Sequence, residues 1–317
     1  MMNKKSKIFL TGHKGMVGSS IYRRLKYLGY NKIIVASRKR LDLLDQKKTF
    51  AYLKRNKPDV VIVAAAKVGG ILDNLTFKNK FIYENLQIQN NLIHGSYLAN
   101  VKNLFLLGSS CIYPKHCKQP MKEKYLLNGP LEESNEAYSI AKIAGIKMCQ
   151  YYSSNYRVNY KSLMPPNLYG PNDNFNLSQS HFYPALIKKI HYSKIKKKKT
   201  LVVWGSGRAK RELMYVDDFS AAAVFFMQKG FKEPFLNIGN GREYSIKWFA
   251  KFIMKQLDVK LKIKYDRSKP DGMPNKCLDI TLAKKYGWKP NPDYIKGFLE
   301  TYNHFLNYKS KKKSAKV

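Results

Sequence analysis

The sequence predicts an α/β chain: a doubly wound parallel sheet carrying a smaller, discontinuous C-terminal lobe. Three observations predict it. A short apolar strand, Ile8-Phe9-Leu10, runs into the glycine turn Gly12-His13-Lys14-Gly15-Met16-Val17-Gly18 and then the helical pattern Ile21, Leu25, Leu28. Val60-Val61-Ile62-Val63-Ala64-Ala65-Ala66 is an unbroken apolar run, as expected of a strand buried on both faces. Tyr138 and Lys142 stand four apart in a helical stretch, and so on one helix face.

A strand, a glycine turn and a helix are the parts of a dinucleotide site. The glycines let the backbone approach a pyrophosphate, which sits on the helix N-terminus. The spacing here is GxxGxxG. The next strand, Ile33-Ile34-Val35-Ala36, ends in Ser37-Arg38-Lys39-Arg40, where an NAD site usually carries an acid for the ribose hydroxyls. Cations there, with Lys14 in the glycine turn, suit a ribose phosphate, so NADP(H) is expected. Leu41-Asp42-Leu43 would border the adenine.

The run Val60–Ala66 ends in Lys67-Val68-Gly69-Gly70, a loop on the ligand side of such a sheet, and one helix with Phe81, Asn85, Ile88 and Leu92 should follow. A fourth strand, Leu104-Phe105-Leu106-Leu107, delivers Gly108-Ser109-Ser110-Cys111-Ile112-Tyr113 to the sheet's C-terminal edge, where doubly wound folds keep their site. Ser109 can hydrogen-bond a carbonyl, and Cys111 is a candidate acid-base group. The plainer reading is a satisfied hydroxyl and a small buried thiol. A free phenol holds its proton to about pH 10, and a nearby ammonium pulls that value down. Lys142 is therefore expected to tune Tyr138 for proton transfer to or from a carbonyl oxygen. Tyr160 to Met164 reads as a fifth strand.

Composition sets the class. The chain has 317 residues, 44% of them apolar, enough for a sizeable core. Lys and Arg number 59 against 21 acids, a net charge of +38. Lysine scattered through every segment reads as solvated surface that attracts anionic substrates, with no nucleic-acid role. The exceptions are the run Lys196–Lys199, read as a loop, and Lys309 to Lys316, read as a frayed tail. Four cysteines without metal-type spacing fit a reducing compartment, and no stretch is long enough for a signal peptide or a membrane span. A cytoplasmic protein without metal is expected.

Taken in this order, the glycine turn, the serine-bearing strand end and Tyr-x3-Lys resemble an extended short-chain dehydrogenase/reductase with a Rossmann-like sheet. The match narrows further. Ala64-Ala65-Ala66-Lys67-Val68-Gly69-Gly70-Ile71, Gly108-Ser109-Ser110-Cys111-Ile112-Tyr113-Pro114, Ala137-Tyr138-Ser139-Ile140-Ala141-Lys142, Asn167-Leu168-Tyr169-Gly170-Pro171, Ser180-His181, Val203-Trp204-Gly205-Ser206-Gly207, Arg211-Glu212 and Lys269-Pro270-Asp271-Gly272 look like the GDP-L-fucose synthase family, over nearly the whole chain. The resemblance implies a homodimeric NADPH enzyme that converts GDP-4-dehydro-6-deoxy-D-mannose to GDP-L-fucose by epimerising C3 and C5 and reducing C4. It implies that Ser109, Tyr138 and Lys142 carry the reduction, and Cys111 and His181 the epimerisation. It also implies that the cofactor is lined by the glycine turn, Arg38, Leu41 to Leu43, Leu107 to Ser110, Lys142, His181 and the loop Pro165-Pro166-Asn167-Leu168. Lys189, Trp204, Arg211 and Asp271 would hold the nucleotide diphosphate, Arg211 as a pyrophosphate clamp.

Three positions depart from the family pattern: Lys14 and Lys189 stand where arginine is expected, and Pro166 where a small hydroxyl residue is expected. The expected division is a cofactor domain over 1–165 with a return segment near 216–242, a substrate domain over 166–215 and 243–308, and a basic tail over 309–317.

Overall fold

In the computed structural model, which describes residues 2–314 and side chains through Asn307, the chain forms a six-stranded parallel sheet and two smaller sheets. Five strands of the main sheet come from the first half: β1 (Ile8–Thr11), β2 (Ile33–Ile34), β3 (Val60–Val63), β4 (Asn103–Leu107) and β5 (Asn159–Met164). After the short β6 (Asn167–Tyr169), β7 (Thr200–Trp204) and β8 (Lys210–Tyr215), the chain returns with β9 (Phe235–Asn237) to complete the order β2-β1-β3-β4-β5-β9. The order reverses between β1 and β3, and a doubly wound sheet binds its ligand at such a switch point. Every residue of β1 and β3 is buried, which is why both read as continuous apolar runs.

Helices cover both faces: α1 (Met16–Tyr27), α2 (Gln46–Asn56), α3 (Ile71–Thr76), α4 (Lys78–Leu98), α5 (Glu136–Asn155) and the returning α7 (Val216–Lys229), with α6 (Phe182–Ile195) lying between them in sequence. The return is anchored. Ser20 Oγ donates to the Val216 carbonyl at 3.1 Å, and Arg23 pairs with Asp217 at 2.5 Å. Phe219, Ala222, Ala223 and Phe226 of α7 join the core of the main sheet.

A second core forms around Tyr169, Tyr183, Ile187, Ile190, Leu213, Phe249, Ile253 and Phe298. It unites α6 with β10 (Glu243–Ser245), α8 (Ile246–Gln256), β11 (Lys262–Asp266) and α10 (Tyr294–Ser314), while α9 (Thr281–Lys285) contributes Ala283 to the first core. β8 lies between β6 and β10, and β11 pairs with β7 in parallel. α10 runs into the stretch expected as a basic tail; residues 315–317 lie outside those described.

Several elements differ from the expectations. β3 stops at Val63, because its partner β1 ends at Thr11 and the chain turns at Gly12 with φ +68°. The helix after Gly70 is two helices, broken at Phe77 (φ −120°, ψ 39°). Asn167–Tyr169, expected in a loop, is a strand, because Pro165-Pro166 turns the chain off β5 and onto β8. Among the described residues, no helix is long and apolar enough to cross a membrane.

Candidate active site

Because the sheet is parallel, the ends of β1, β4 and β5 open on one edge. At the first of them, Gly12 takes a left-handed conformation, and a Cβ there would lie 2.8 Å from the Ala65 nitrogen. A Cβ on Gly18 would lie 2.2 Å from the Gly12 carbonyl oxygen, so that glycine lets α1 start tight against the turn. Gly15 caps α1 without a side-chain hydrogen bond, and the first turn of the helix has no acid. Free N–H groups at a helix start, with no carboxylate nearby, fit a phosphate. Lys14 is exposed beside His13, whose pKa falls through partial burial and the Lys14 charge.

Arg38 is mostly exposed, and its Nε lies 3.5 Å from Asp42 Oδ2. Leu43 is half-buried on the core, whereas Leu41 is a core residue at 5% exposure whose side chain packs inward. The glycine turn and this basic corner fit a dinucleotide carrying a ribose phosphate.

At the end of β4, Gly108 passes so close to Met164 that a Cβ would come within 2.3 Å of its sulfur. Ser109 then caps a single 3-10 turn, accepting from the Cys111 nitrogen at 3.2 Å. Ser110, buried, donates its N–H to the Pro165 carbonyl at 3.0 Å, which ties the turn to the end of β5. Pro166 is buried, Asn167 and Leu168 are half-buried, and the latter packs on the first core. Ser139 of α5 donates to the Cys111 carbonyl at 2.9 Å. That bond brings the first turn of α5, and Tyr138 with it, against Ser109 and Cys111.

Tyr138 and Lys142 share a face of α5, but they are not a simple pair. Lys142 is buried and donates to the Leu107 carbonyl at 2.8 Å, and its ammonium lies 5.8 Å from the centre of the Tyr138 ring. Burial lowers the Lys142 pKa to about 8. The expected lowering of the Tyr138 phenol does not occur in this geometry. Burial and the charge of Cys111 push it well above its usual value, against an opposing hydrogen bond from Ser109.

Cys111 moves the other way. Burial raises its thiol, but the ammonium of Lys276, 3.0 Å from Sγ, the Ser109 hydroxyl and the Arg211 guanidinium more than offset it, so the pKa falls. The Asn135 amide approaches the same sulfur at 3.5 Å. Neither Lys276 nor Asn135 was legible as a site residue, since Lys276 lies 165 residues from Cys111 along the chain.

His181 is the N-cap of α6. The loop before it is held against the β3 edge, where Gly70 N–H donates to the Gln179 carbonyl at 2.7 Å. Enclosure by surrounding protein and the Lys276 charge lower its pKa to about 4. The side chain keeps an exposed surface, and a lowered pKa leaves the imidazole neutral at pH 7.

The second lobe supplies the remaining candidates. Trp204 is 39% exposed rather than core, with the ammonium groups of Lys189 and Lys269 at 5.0 and 5.9 Å from its ring centre. Lys189 also donates to the Val202 carbonyl at 3.2 Å. Arg211 is the residue expected to clamp the pyrophosphate. It is buried, and its fork donates to the carbonyls of Lys210, Met273 and Asp271, so it ties down the 271–273 loop. Asp271 in turn accepts from the Ser206 nitrogen at 2.7 Å. A cavity of about 430 Å³ opens here, lined by Gly205, Ser206, Arg208, Arg267, Lys269 and Asp271. None of the proton-transfer candidates lines it. Among the described residues no cluster of ligands for a metal ion occurs.

A dinucleotide turn, a Ser–Tyr–Lys set and a thiol at one sheet edge define a class, and the sequence comparisons agree. The chain belongs to the NAD dependent epimerase/dehydratase family, whose model matches residues 8–239, and within it to the family of the GDP-L-fucose synthases. It is 46% identical to the GDP-L-fucose synthase of Sinorhizobium fredii, over 95% of this chain and 96% of that one. Against the GDP-L-fucose synthase of Escherichia coli K12, identity is 43% over 95% and 97%. Among solved structures, a GDP-mannoheptose C4 reductase from Campylobacter jejuni with NADP bound superposes with a TM-score of 0.87, at 33% identity over 96% of this chain and all of that one.

Proposed function

We propose that this chain makes GDP-L-fucose from GDP-4-dehydro-6-deoxy-D-mannose, by epimerisation at C3 and C5 and NADPH-dependent reduction at C4. The observation that carries this reading is the Cys111 thiol, acidified by Lys276 at 3.0 Å, on the same turn as Ser109 and bonded through Ser139 to the Tyr138 helix. A reductase needs the phenol and the hydroxyl. Moving protons at the carbons beside a ketone needs a further base, and a lowered thiol is one.

Protons at C3 and C5 are acidic because their loss gives an enolate at C4. Cys111 and His181 remove and return those protons. Ser109 and Tyr138 donate hydrogen bonds to the enolate oxygen. NADPH, when bound, supplies the hydride that reduces C4. Tyr138, whose burial keeps it protonated, then hands its proton to the C4 oxygen. Lys142 positions the nicotinamide ribose, Trp204 and Asp271 the guanosine, and Lys189 the diphosphate. The pattern of Arg38 and Lys14 selects the ribose phosphate.

The free cysteines fit a cytoplasmic enzyme. The protein is further proposed to be a homodimer built on α4 and α5, which leave Tyr83, Ile140 and Tyr151 exposed. The deciding experiment incubates the protein with GDP-4-dehydro-6-deoxy-D-mannose and NADPH and identifies the sugar by NMR. GDP-L-fucose with one NADPH consumed per product is expected. A reduced sugar with C3 and C5 unchanged would sink the epimerase half of the reading.

A further inference from the structure

We infer that Lys276 is a positioning residue of the epimerising centre, its ammonium at 3.0 Å holding the Cys111 sulfur as a thiolate. The inference rests on the reading of Cys111 as a proton-transfer group, and it adds a residue from the second half of the chain to a site otherwise built on the ends of β4 and α5.

The fold places this lysine deliberately. The segment 274–278 runs beside β8: Lys210 N–H donates to the Pro274 carbonyl at 2.8 Å and Glu212 N–H to the Lys276 carbonyl at 2.9 Å. The Leu278 nitrogen donates to Glu212 Oε2 at 2.7 Å, and the Cys277 carbonyl accepts from Met121 N–H at 2.7 Å. The backbone is therefore held on both sides of residue 276. Lys276 is only 9% exposed, and among the described residues no carboxylate oxygen lies within 4.0 Å of its ammonium. A buried ammonium without a carboxylate is costly, and a thiolate is the anion its geometry offers.

The other groups around the sulfur do not change this assignment. Ser109 and Asn135 are neutral donors. Tyr138 is held protonated by burial and by the Cys111 charge itself. Arg211 acts at longer range, and its own charge is answered by Cys111, Asp271, Glu132 and Glu243. Second to burial, the Lys276 ammonium lowers the basicity of His181, so one cation acts on both proton-transfer groups. The remaining thiols are set apart, since burial raises Cys117, Cys149 and Cys277.

The test measures the pH dependence of Cys111 carbamidomethylation by iodoacetamide in the full chain, read by mass spectrometry of the Cys111 peptide. It compares wild type, Lys276→Met, Lys276→Gln and Lys276→Arg, with circular dichroism to establish folding. Wild type and Lys276→Arg should react with a midpoint below that of a free thiol, about 8.5. Lys276→Met should move the midpoint up by about one unit, an approximately tenfold loss of rate at pH 7, and Lys276→Gln supplies the same comparison if the Met variant does not fold. Exchange of the C3 and C5 protons into deuterated water should fall with it. A wild-type midpoint in both neutral variants would overturn the inference, as would an Arg variant that behaves like Met. The alkylation midpoint needs no sugar. If wild type alkylates as expected but exchanges no sugar protons, the proposed function fails and the epimerising role of the pair with it, while the Lys276–Cys111 charge interaction stands.

Discussion

Tyr138 and Cys111 sit on neighbouring turns and hold protons with opposite strength. Burial raises the phenol, whereas the cations facing the thiol outweigh its burial. Their replacements should therefore separate two half-reactions. In deuterated water without NADPH, Cys111→Ser should lose most exchange at C3 and C5, because a serine hydroxyl seldom ionises. Tyr138→Phe should keep part of that exchange, with Ser109 still holding the enolate oxygen, and consume almost no NADPH. NMR reads the first effect and absorbance the second; normal exchange in Cys111→Ser would make that residue a bystander. Lys142 offers a test with a definite sign. Its pKa falls from 10.5 to about 8 on folding, so between those values the unfolded chain binds more protons and stability rises with pH. Below pH 8 the buried charge costs on the order of 3 kcal/mol, less what the Leu107 hydrogen bond returns. Lys142→Met should melt higher than wild type at pH 7 while reducing C4 at least about tenfold more slowly, and the gap in melting temperature should close from pH 8 to 10.5.

At the scale of elements, the glycine turn and the strand after it set the cofactor. Gly12→Ala places a Cβ 2.8 Å from the Ala65 nitrogen at φ +68°. It should cost about 1–3 kcal/mol of stability and weaken NADPH binding, both measurable by thermal melts with and without the cofactor. Arg38→Asp should weaken NADPH binding far more than NADH binding in calorimetry, since a carboxylate repels the ribose phosphate and suits free hydroxyls. Equal losses would remove the basis for the preference. These elements were readable because each is local: a strand, a turn and a helix within about twenty residues of chain. β6 was not, because Asn167–Tyr169 becomes a strand only by pairing with Leu213–Tyr215, which sequence periodicity does not see.

For the molecule as a whole, the two cores are joined where α7 and β9 leave the second lobe to finish the first. The helices α4 and α5 pack on each other and still leave Tyr83 at 63%, Ile140 at 42% and Tyr151 at 58% exposure. Exposed apolar groups on paired helices of this kind are covered by a second copy in the proposed dimer. Ile140→Glu with Tyr151→Glu should halve the mass seen by sedimentation, because burying carboxylates there without partners is unfavourable. A wild type that sediments as a monomer at micromolar concentration would remove the proposal.

The sequence by itself determined the parallel sheet, the ligand edge and the cofactor class, and it nominated Ser109, Cys111, Tyr138 and Lys142 as the reacting groups. Each is written in short-range signals: an all-apolar run for a strand buried on both faces, glycines between strand and helix, and a four-residue spacing on one helix face. Tertiary structure alone decided what those groups do to one another. It turned Lys142 toward the Leu107 carbonyl, committed Arg211 to the 271–273 loop, buried Leu41, and brought Lys276 to the Cys111 sulfur. The reason is physical: a pKa depends on desolvation and on charges within a few ångströms, and those neighbours come from segments that meet only after the chain has folded.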